Sequence, residues 1–380
     1  MRARTTSAIA AALSLAACTD GGAPLTTGAR ILEGRDVHDT CPQWHVIAIS
    51  LQVFVLVAYQ QLADTLTRAL EIAGLEAVRA HRAAQIIAGS TRDGVPSHGL
   101  NLFPRLIAMI RKGIVNVDAR PRRVAAAGGL ERWDGGGGVG VLNAWESMDG
   151  AIASARVHGL GCVALANTNH WMRGGTYGWQ AADAGVIGIC WTNTLPNLPP
   201  WGDDQPRLGN NPLVIALPRP DGHLVLDMAL SQFSYGTLAA YRARGETLPV
   251  PGGFDASGVL TRDPAAIETS HRPLPIGFWK GTGLSIMLDA IAASLAAGRA
   301  THQLTAEPEQ ETNLSQVFIA IDAAALGSGE EIAHIADAIV ADLRTRYPGR
   351  RALDARRTYA RDGIPVDDAA WDFARRCAQS

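Results

Sequence analysis

A serine and a histidine in the turn GVPSHG at 94–99 are the first residues whose chemistry stands out. Glycine, proline and serine indicate a turn, and Ser97 is of the type that caps a following helix. A histidine in a turn reaches solvent and ligands, and its near-neutral pKa suits general acid or base catalysis. His98 is therefore a candidate catalytic residue, and the competing interpretation is an ordinary loop histidine.

A second polar cluster, NTNHWMRGG at 167–175, directly follows a short apolar run. Loops after the strands of α/β proteins commonly hold ligand-binding groups. His170 and Arg173 are candidates on this ground, and a capping histidine is the alternative for His170. Asn210, in LGNNP at 208–212, lies in a polar turn of the same kind, although such clusters are also ordinary loop punctuation.

Lys280 is one of only two lysines and stands, in FWKGTG at 278–283, just before an expected helix. The free N–H groups of a helix N-terminus bind phosphate, and a lysine beside them gains from the helix dipole only when an anion is present. Both a phosphate-binding role and a plain surface position are compatible with this placement.

The glycine run GGGGVG at 135–140 formally matches the dinucleotide-binding motif GxGxxG. That site also requires a firm strand before it and an acidic residue about 20 positions further on. Leu130–Asp134 is a weak strand pattern, and the next strand runs into Asn167 rather than an acid. A flexible turn is therefore the favoured interpretation.

The composition narrows the class of protein. The 380 residues carry 34 Lys and Arg against 36 Asp and Glu, so the basic surplus typical of a nucleic-acid binder is missing. The sequence contains no run of 18 apolar residues, so no membrane-spanning helix is expected. The five cysteines are scattered, without metal-binding spacing or a paired pattern, so neither a metal site nor a disulfide scaffold is expected.

Periodicity places these motifs on a mixed set of elements. Helices are expected from Tyr59 to Ser90 with a break near Gly74, and then at 101–112, 142–158, 177–184, 231–244, 283–297 and from about 330 with a break at 348–349. Strands are expected at 123–127, 130–133, 162–166, 187–192, 213–217, 224–227 and 317–321. This order lacks a strict βαβ rhythm and predicts an α/β fold with a mixed sheet, flanked by a helical part from early and late segments.

The first 54 residues follow a different pattern. Arg2 and Arg4 precede an apolar stretch at 8–17 that ends in LAAC, which resembles a bacterial lipoprotein cleavage box around Cys18. Nothing upstream of Val55 forms a periodic element. The expectation is that residues 1–54 come from an upstream start assignment, that the working chain begins near Val55, and that residues 1–45 have no fixed packing.

Taken in order, the motifs resemble the malate/L-lactate dehydrogenase type of NAD(P)-dependent oxidoreductase, which lacks the ordinary Rossmann fold. The resemblance covers roughly Val55 to Trp371 and is carried by GVPSHG, NHWMRGGTYGWQAA and GICWTN, and further on by PPWG, FSYG, LPVPGGFD and WKGTG. It implies hydride transfer between NAD or NADP and a 2-keto or 2-hydroxy acid in the cytoplasm, a homodimer, and a largely antiparallel sheet that binds the cofactor.

The resemblance also implies roles for individual residues. His98 matches the family's proton donor, and Ser97 would orient its ring. The expected substrate contacts are His170, Arg173 and Asn210, together with Arg105 as a substitute for a family arginine that this chain lacks. The implied cofactor contacts are His223, Leu224, Val225, Leu226, Asp227, Met228, Ala229, Trp279, Lys280, Gly349, Arg350 and Arg351.

Three departures from the family pattern affect these roles, and one is GNNP at 209–212, where relatives have Gly-Thr-Asn-Pro. Related sequences carry an arginine four residues after the histidine, where it would hold the substrate carboxylate, and this chain has Leu102 with Arg105 one turn further on. Gly349-Arg350-Arg351 replaces the Gly-His-Glu of relatives, and the two extra guanidinium groups suit the 2′-phosphate of NADP.

These observations give the expected organisation and two functional hypotheses. Residues 1–54 are the extra segment, 55–118 with 330–380 form the helical domain, and 119–329 form the cofactor-binding α/β domain. The favoured function is a cytoplasmic keto-acid reductase that needs neither nucleic acid nor membrane. The alternative is a lipid-anchored or periplasmic binding protein that kept the fold and lost catalysis, supported by the box at Cys18 and by Leu102.

Overall fold

A seven-stranded sheet is the centre of the fold and the element that positions the candidate site. The structure is a computed structural model that describes residues 54–327 and 329–379. Residues 56–380 form one unit, and the other unit, 1–55, lies almost entirely outside the described residues, as does the expectation about residues 1–45.

Alternating and continuous apolar runs form eleven strands in the described chain. They are β1 (Phe54–Val57), β2 (Arg122–Ala127), β3 (Leu130–Asp134), β4 (Leu160–Asn169), β5 (Ile187–Thr192), β6 (Leu213–Leu217), β7 (Leu224–Met228), β8 (Gly253–Phe254), β9 (Leu260–Thr261), β10 (Thr312–Ile321) and β11 (Ile364–Asp367). The large sheet has the order β2-β3-β4-β10-β5-β6-β7, while β1 with β11 and β8 with β9 form two-stranded sheets. Only β3 and β4 pair in parallel within the large sheet, so the expected mixed, largely antiparallel sheet is confirmed.

Eleven α-helices surround the strands in the same part of the chain. They are α1 (Tyr59–Ile72), α2 (Ala77–Arg92), α3 (Phe103–Arg111), α4 (Gly140–His158), α5 (Gly175–Asp183), α6 (Tyr235–Ala243), α7 (Pro264–Ser270), α8 (Trp279–Ala296), α9 (Gly329–Asp342), α10 (Arg350–Asp362) and α11 (Asp368–Cys377). The late helix α11 packs on α1 and α3, and α10 packs on α2. The helical part is therefore built from early and late segments, as expected, whereas the domain boundaries at 118 and 330 stay a prediction.

Two apolar clusters hold the helices to the sheet. One joins α4 and α5 to the sheet around Trp171, Tyr177 and Phe318, and these three rings contact one another with centroids 5.4–6.0 Å apart. The other packs α8 on the strands through Leu288, Ala292 and Val317. Burial of these side chains at about 25 cal/mol per Å² fixes β4, β5 and β7 relative to the turns that follow them.

Three local expectations were wrong. The helix expected at 101–112 begins at Phe103, because short 3₁₀ turns at Pro96–His98 and Leu100–Leu102 precede it, and Ser97 caps no helix. The helix expected from Ser231 begins at Tyr235, where the Ser234 side chain accepts from the Thr237 N–H. The helix expected from Gly283 begins at Trp279, so Lys280 lies in its first turn rather than just before it. The strand expected at 130–133 is confirmed as Leu130–Asp134, which pairs in parallel with β4.

Candidate active site

His98 lies at the end of a 3₁₀ turn that follows α2. The turn is held against that helix because Gly99 has no side chain: a Cβ there would lie 2.4 Å from Thr91 Oγ1, which accepts the Leu100 N–H at 2.9 Å. The Ser97 hydroxyl lies 3.1 Å from His98 Nδ1. Close packing at Gly99 therefore fixes the backbone beside His98, and the Ser97 hydroxyl orients the imidazole ring.

His170 stacks beside His98, with ring centroids 6.0 Å apart and ring planes 24° from parallel. Its Nδ1 accepts the Met172 N–H at 3.0 Å, so a neutral ring carries its proton on Nε2. Burial first, and then the charges of His98 and Arg105, hold the pKa of His170 well below its usual range. His170 is thus a neutral hydrogen-bond donor at physiological pH.

The glycine-rich turn at 135–138 positions His170. Asn169 donates through Nδ2 to the carbonyls of Gly137 and Gly138, both at 2.7 Å, and Asn143 donates to the Gly135 carbonyl at 2.9 Å. A Cβ on Gly135 would lie 2.6 Å from Asn143 Nδ2. Because these glycines have no side chains, they leave room for Asn143 and Asn169, which anchor the end of β4. The segment 135–138 therefore acts as a turn and not as a phosphate-binding loop.

Arg173 lies behind the two histidines and is 6% exposed. Its Nη1 donates to Asp93 Oδ2 at 2.5 Å, and its Nε lies 3.7 Å from Asp227 Oδ2. Asp227 Oδ2 also accepts the Gly175 N–H at 2.9 Å, which ties β7 to the start of α5. Both carboxylates are thus held by fixed donors close to His98.

The charges around His98 oppose each other. Loss of hydration is the largest influence and leaves the pKa of His98 below its usual range, although the Asp227 carboxylate raises it; Arg173 lowers it further. More than a third of the His98 surface is exposed to solvent, so a ligand can reach the residue although protein surrounds its other sides. An accessible imidazole with a carboxylate nearby is suited to exchange a proton with a bound ligand.

Arg105 is close enough to influence His170 but is already paired. Its Nη2 donates to Glu311 Oε2 at 2.9 Å and to the Pro308 carbonyl. Burial raises the pKa of Glu311, against the opposing effect of Arg105. Arg105 therefore joins α3 to the start of β10 instead of presenting a free guanidinium at the position left by Leu102.

Asn210 lies in a turn network rather than beside the histidines. Its Oδ1 accepts from Thr194 Oγ1 at 3.0 Å, and its carbonyl accepts the Leu230 N–H at 2.7 Å. Asn210 thus supports the chain just after β7.

The expected cofactor contacts follow β7 from end to end. At its start, the Val225 N–H donates to the Pro348 carbonyl at 3.0 Å, and a Cβ on Gly349 would lie 3.0 Å from the His223 carbonyl oxygen. At its far end, the Ile276 N–H donates to the Leu230 carbonyl at 2.7 Å, which brings in the segment leading to Trp279 and Lys280. The strand between holds Leu224, Leu226, Met228 and, just after it, Ala229.

The charged members of this group differ in their partners. Arg350 pairs with Asp354 at 2.8 Å one turn along α10, whereas exposed Arg351 reaches the Gly94 carbonyl at 3.3 Å, next to the His98 turn. Trp279 is 67% exposed at the start of α8, and Lys280 is exposed beside it. Strand β7 thus brings the three segments that are expected to contact the cofactor next to one another.

Two residues in this region were not singled out from the sequence. Asp93 and Arg356 form a two-pronged ion pair, Nε to Oδ1 at 2.6 Å and Nη2 to Oδ2 at 2.7 Å, although 263 positions separate them. The only sequence signal is that Asp93 immediately precedes GVPSHG, and nothing in the sequence joins it to Arg356.

Other classes of site are not seen in the described ranges. No group of three His, Cys, Asp or Glu is arranged to hold a metal ion there. Within 54–327 and 329–379, no helix is long and apolar enough to cross a membrane.

Comparison with known sequences identifies a family. A family model described as malate/L-lactate dehydrogenase matches residues 57–373. The 2,3-diketo-L-gulonate reductase of Citrobacter koseri is 44% identical over 325 residues, which covers 83% of this chain and 98% of the relative.

Solved structures have the same fold. The δ1-piperideine-2-carboxylate reductase of Pseudomonas syringae superposes with a TM-score of 0.77 at 26% identity, covering 85% of this chain and 99% of that one. The malate dehydrogenase of Pyrococcus horikoshii gives a TM-score of 0.77 at 25% identity, covering 86% and 95%.

Proposed function

This chain belongs to the malate/L-lactate dehydrogenase family of oxidoreductases, and from that premise we propose that it reduces the keto group of a 2-keto acid with NADH or NADPH. The observation that carries the proposal is the accessible His98, stacked on neutral His170 and electrostatically coupled to Asp227. The relatives' names indicate the substrate class, and 2,3-diketo-L-gulonate is the first compound to test.

His98 serves as the proton donor. Reduction of a ketone leaves negative charge on the carbonyl oxygen, and a protonated imidazole within reach neutralises it. Asp227 favours the protonated ring, while Ser97 Oγ at 3.1 Å from Nδ1 fixes its orientation. Nε2 is then the atom that delivers the proton.

Substrate orientation falls to the groups beside His98. Neutral His170 offers its Nε2–H to a keto or hydroxyl oxygen, because its Nδ1 is already engaged with Met172. Arg173 supplies positive charge near the two histidines, although its guanidinium also interacts with the carboxylates of Asp93 and Asp227. Arg105 acts through its charge near His170, and Asn210 by holding the chain after β7.

The residues along β7 suit a nicotinamide dinucleotide. The N-terminus of α10 and the exposed guanidinium of Arg351 offer donors for phosphate groups, and Trp279 offers an apolar face. Gly349 brings this helix close to the backbone of β7, where any side chain would crowd it. When bound, the cofactor supplies the hydride, and the chain's residues orient it against the substrate beside His98.

A homodimer is the assembly that we propose. Helix α8 leaves apolar side chains exposed on one face, and they are Trp279, Leu284, Ile286, Met287 and Ile291. A contiguous apolar face of this kind is a protein-interaction surface when it is not buried within the chain. A second copy of this chain is the partner that we propose for this face. The proposed compartment is the cytoplasm, because the enzyme needs a soluble pool of nicotinamide cofactor.

Absorbance at 340 nm tests the proposed reaction. The full chain is mixed with NADH or NADPH and a panel of 2-keto acids that includes 2,3-diketo-L-gulonate, pyruvate and oxaloacetate. Substrate-dependent loss of absorbance is expected with at least one member. If no compound is turned over and neither cofactor changes tryptophan fluorescence, the binding-protein alternative replaces the reductase.

A further inference from the structure

Four charged side chains form a continuous ion-pair chain behind His98: Arg356, Asp93, Arg173 and Asp227. Asp93 is 3% exposed and contacts three arginines: Arg356 at 2.6 and 2.7 Å, Arg173 at 2.5 Å, and the neighbouring Arg92 at 3.3 Å. A carboxylate this deeply buried persists as an ion only because cations surround it. Burial alone would raise the pKa of Asp93, but the hydrogen bond from Arg356 and the charge of Arg173 keep it below its usual range.

Arg173 is the link between Asp93 and the catalytic side of the pocket. Its Nη1 contacts Asp93 directly, whereas its Nε lies 3.7 Å from Asp227 and has no hydrogen-bond partner among the described residues. The guanidinium is therefore held at hydrogen-bond distance from Asp93 and just beyond it from Asp227. This geometry leaves Asp227 only partly neutralised.

The charged and titratable groups that face His98 come from three directions. Asp227 faces it from β7, and Arg173 and His170 face it from the loop after β4. Arg351 of α10 reaches the same turn through the Gly94 carbonyl. Burial disfavours a protonated His98 most, Arg173 adds to this effect, and Asp227 is the group that opposes both, so the charge left on Asp227 matters for protonation of the ring.

We propose that Asp93 is a positioning residue for the reaction, which draws Arg173 away from Asp227 and so leaves the Asp227 carboxylate free to stabilise protonated His98. The inference rests on the proposed function of His98 as proton donor. No contact between Asp93 and substrate is involved, since the effect passes through Arg173.

Asp93→Asn keeps the shape of the side chain and removes its charge. Arg173 then loses its nearer carboxylate and moves onto Asp227, and both changes disfavour the protonated imidazole. Reduction requires protonated His98, so kcat/KM for reduction falls as the pH rises through the pKa of the ring. The expected result is that this fall moves to lower pH by about one unit, an activity loss of about tenfold at neutral pH.

Arg356→Gln separates this electrostatic effect from a structural one. It removes the nearer competing cation and leaves only Arg92, at 3.3 Å, so Asp93 holds Arg173 more fully and the fall in kcat/KM stays at the wild-type pH or moves above it. A merely structural role of Asp93 would lower activity in both variants without displacing the profiles in different directions. Asp362→Asn on α10, an exposed aspartate paired with Arg361, is the matched control and should leave the profile in place.

Proton NMR of the His98 ring provides a readout that needs no turnover. His98→Ala assigns the resonance, and its titration is followed in the wild type and both variants. A lower midpoint in Asp93→Asn is expected, and an unchanged midpoint in a folded Asp93→Asn overturns the proposal even if the protein reduces keto acids. If Asp93→Asn does not fold, Arg356→Gln decides, because a lower midpoint in that variant contradicts the proposed direction.

Discussion

His98 is the residue on which the proposed chemistry depends, and its surroundings explain why a single side chain carries so much. Ser97 contacts its Nδ1, His170 stacks on its ring, and Asp227 favours its protonated form. In the proposed reaction His170 is not the proton donor, because burial holds its pKa well below the usual range, more strongly than for His98, and Met172 engages its Nδ1. The two stacked histidines therefore have different roles that follow from their environments.

His98→Ala should lower kcat for reduction by about 10²–10⁴-fold, the usual contribution of a positioned general acid. Cofactor binding should remain near wild type, because the residues along β7 are unchanged. Steady-state kinetics and cofactor fluorescence titration measure the two effects. His158→Ala, an exposed histidine at the end of α4, is the control, and a His98→Ala enzyme within threefold of its rate contradicts the assignment.

At the scale of elements, the site depends on how a few helices and strands are tied together. The Arg105–Glu311 pair joins α3 to the start of β10, and the Asp93–Arg356 pair joins the end of α2 to α10. The turn that carries His98 lies between α2 and α3. Both pairs bridge distant parts of the chain, so they position the site as well as stabilise it.

Arg105→Ala should lower the free energy of unfolding by about 3 kcal/mol, because it leaves the buried carboxylate of Glu311 without its partner. Chemical denaturation followed by tryptophan fluorescence measures this loss. Arg122→Ala removes an exposed arginine, 3.2 Å from Asp134, and should change stability by less than about 1 kcal/mol. Equal losses of stability in the two variants would contradict the expectation that the buried Arg105–Glu311 pair contributes more than an exposed ion pair.

The start of α10 bears on the choice of cofactor. NADPH should be used at least as well as NADH, because paired guanidinium groups favour a dianionic phosphate. Arg350 is engaged with Asp354, so the structure makes Arg351 the stronger candidate. Arg351→Ala should raise KM for NADPH about tenfold more than KM for NADH, the loss of one charge-assisted contact.

Arg361→Ala, at the other end of the same helix, is the control for this comparison. A clear preference for NADH in the wild type that Arg351→Ala leaves unchanged would remove the 2′-phosphate role from this helix terminus.

For the whole molecule, the exposed face of α8 is the feature that a single chain does not explain. Met287 is 56% exposed and Ile286 47%, although the opposite face of the same helix is buried on the sheet. The helix that begins at Trp279 would place a dimer interface next to the expected cofactor contacts. Assembly and cofactor binding should therefore be linked.

Met287→Glu should convert the dimer to a monomer, because a charge replaces an apolar contact at the centre of the proposed interface. Light scattering after size-exclusion chromatography gives the mass directly. Val157→Glu, at a 75% exposed position on α4, should leave the mass unchanged. A wild-type protein that already runs as a monomer would refute the interface.

Many features of the fold can be predicted from local patterns in the amino-acid sequence. Periodicity placed most helices and strands, and the motif GVPSHG drew attention to His98. The resemblance to a known family was visible in motifs rich in tryptophan and glycine. These features are local in the chain, since the residue type, spacing and turn chemistry that produce them lie within a few positions.

The charge environment of the site depends on long-range contacts that no local pattern in the sequence predicts. The sequence offers Arg105 as a free substrate contact, but Glu311, 206 positions away, already binds it. Asp93 is distinguished from other aspartates by its contacts with Arg173 and Arg356, which come from distant parts of the chain. The strand expected at 130–133 has a weak pattern, and its parallel pairing with β4 is visible only in the fold. Such contacts join residues far apart in the chain, and their energies depend on burial and distance, which folding alone sets.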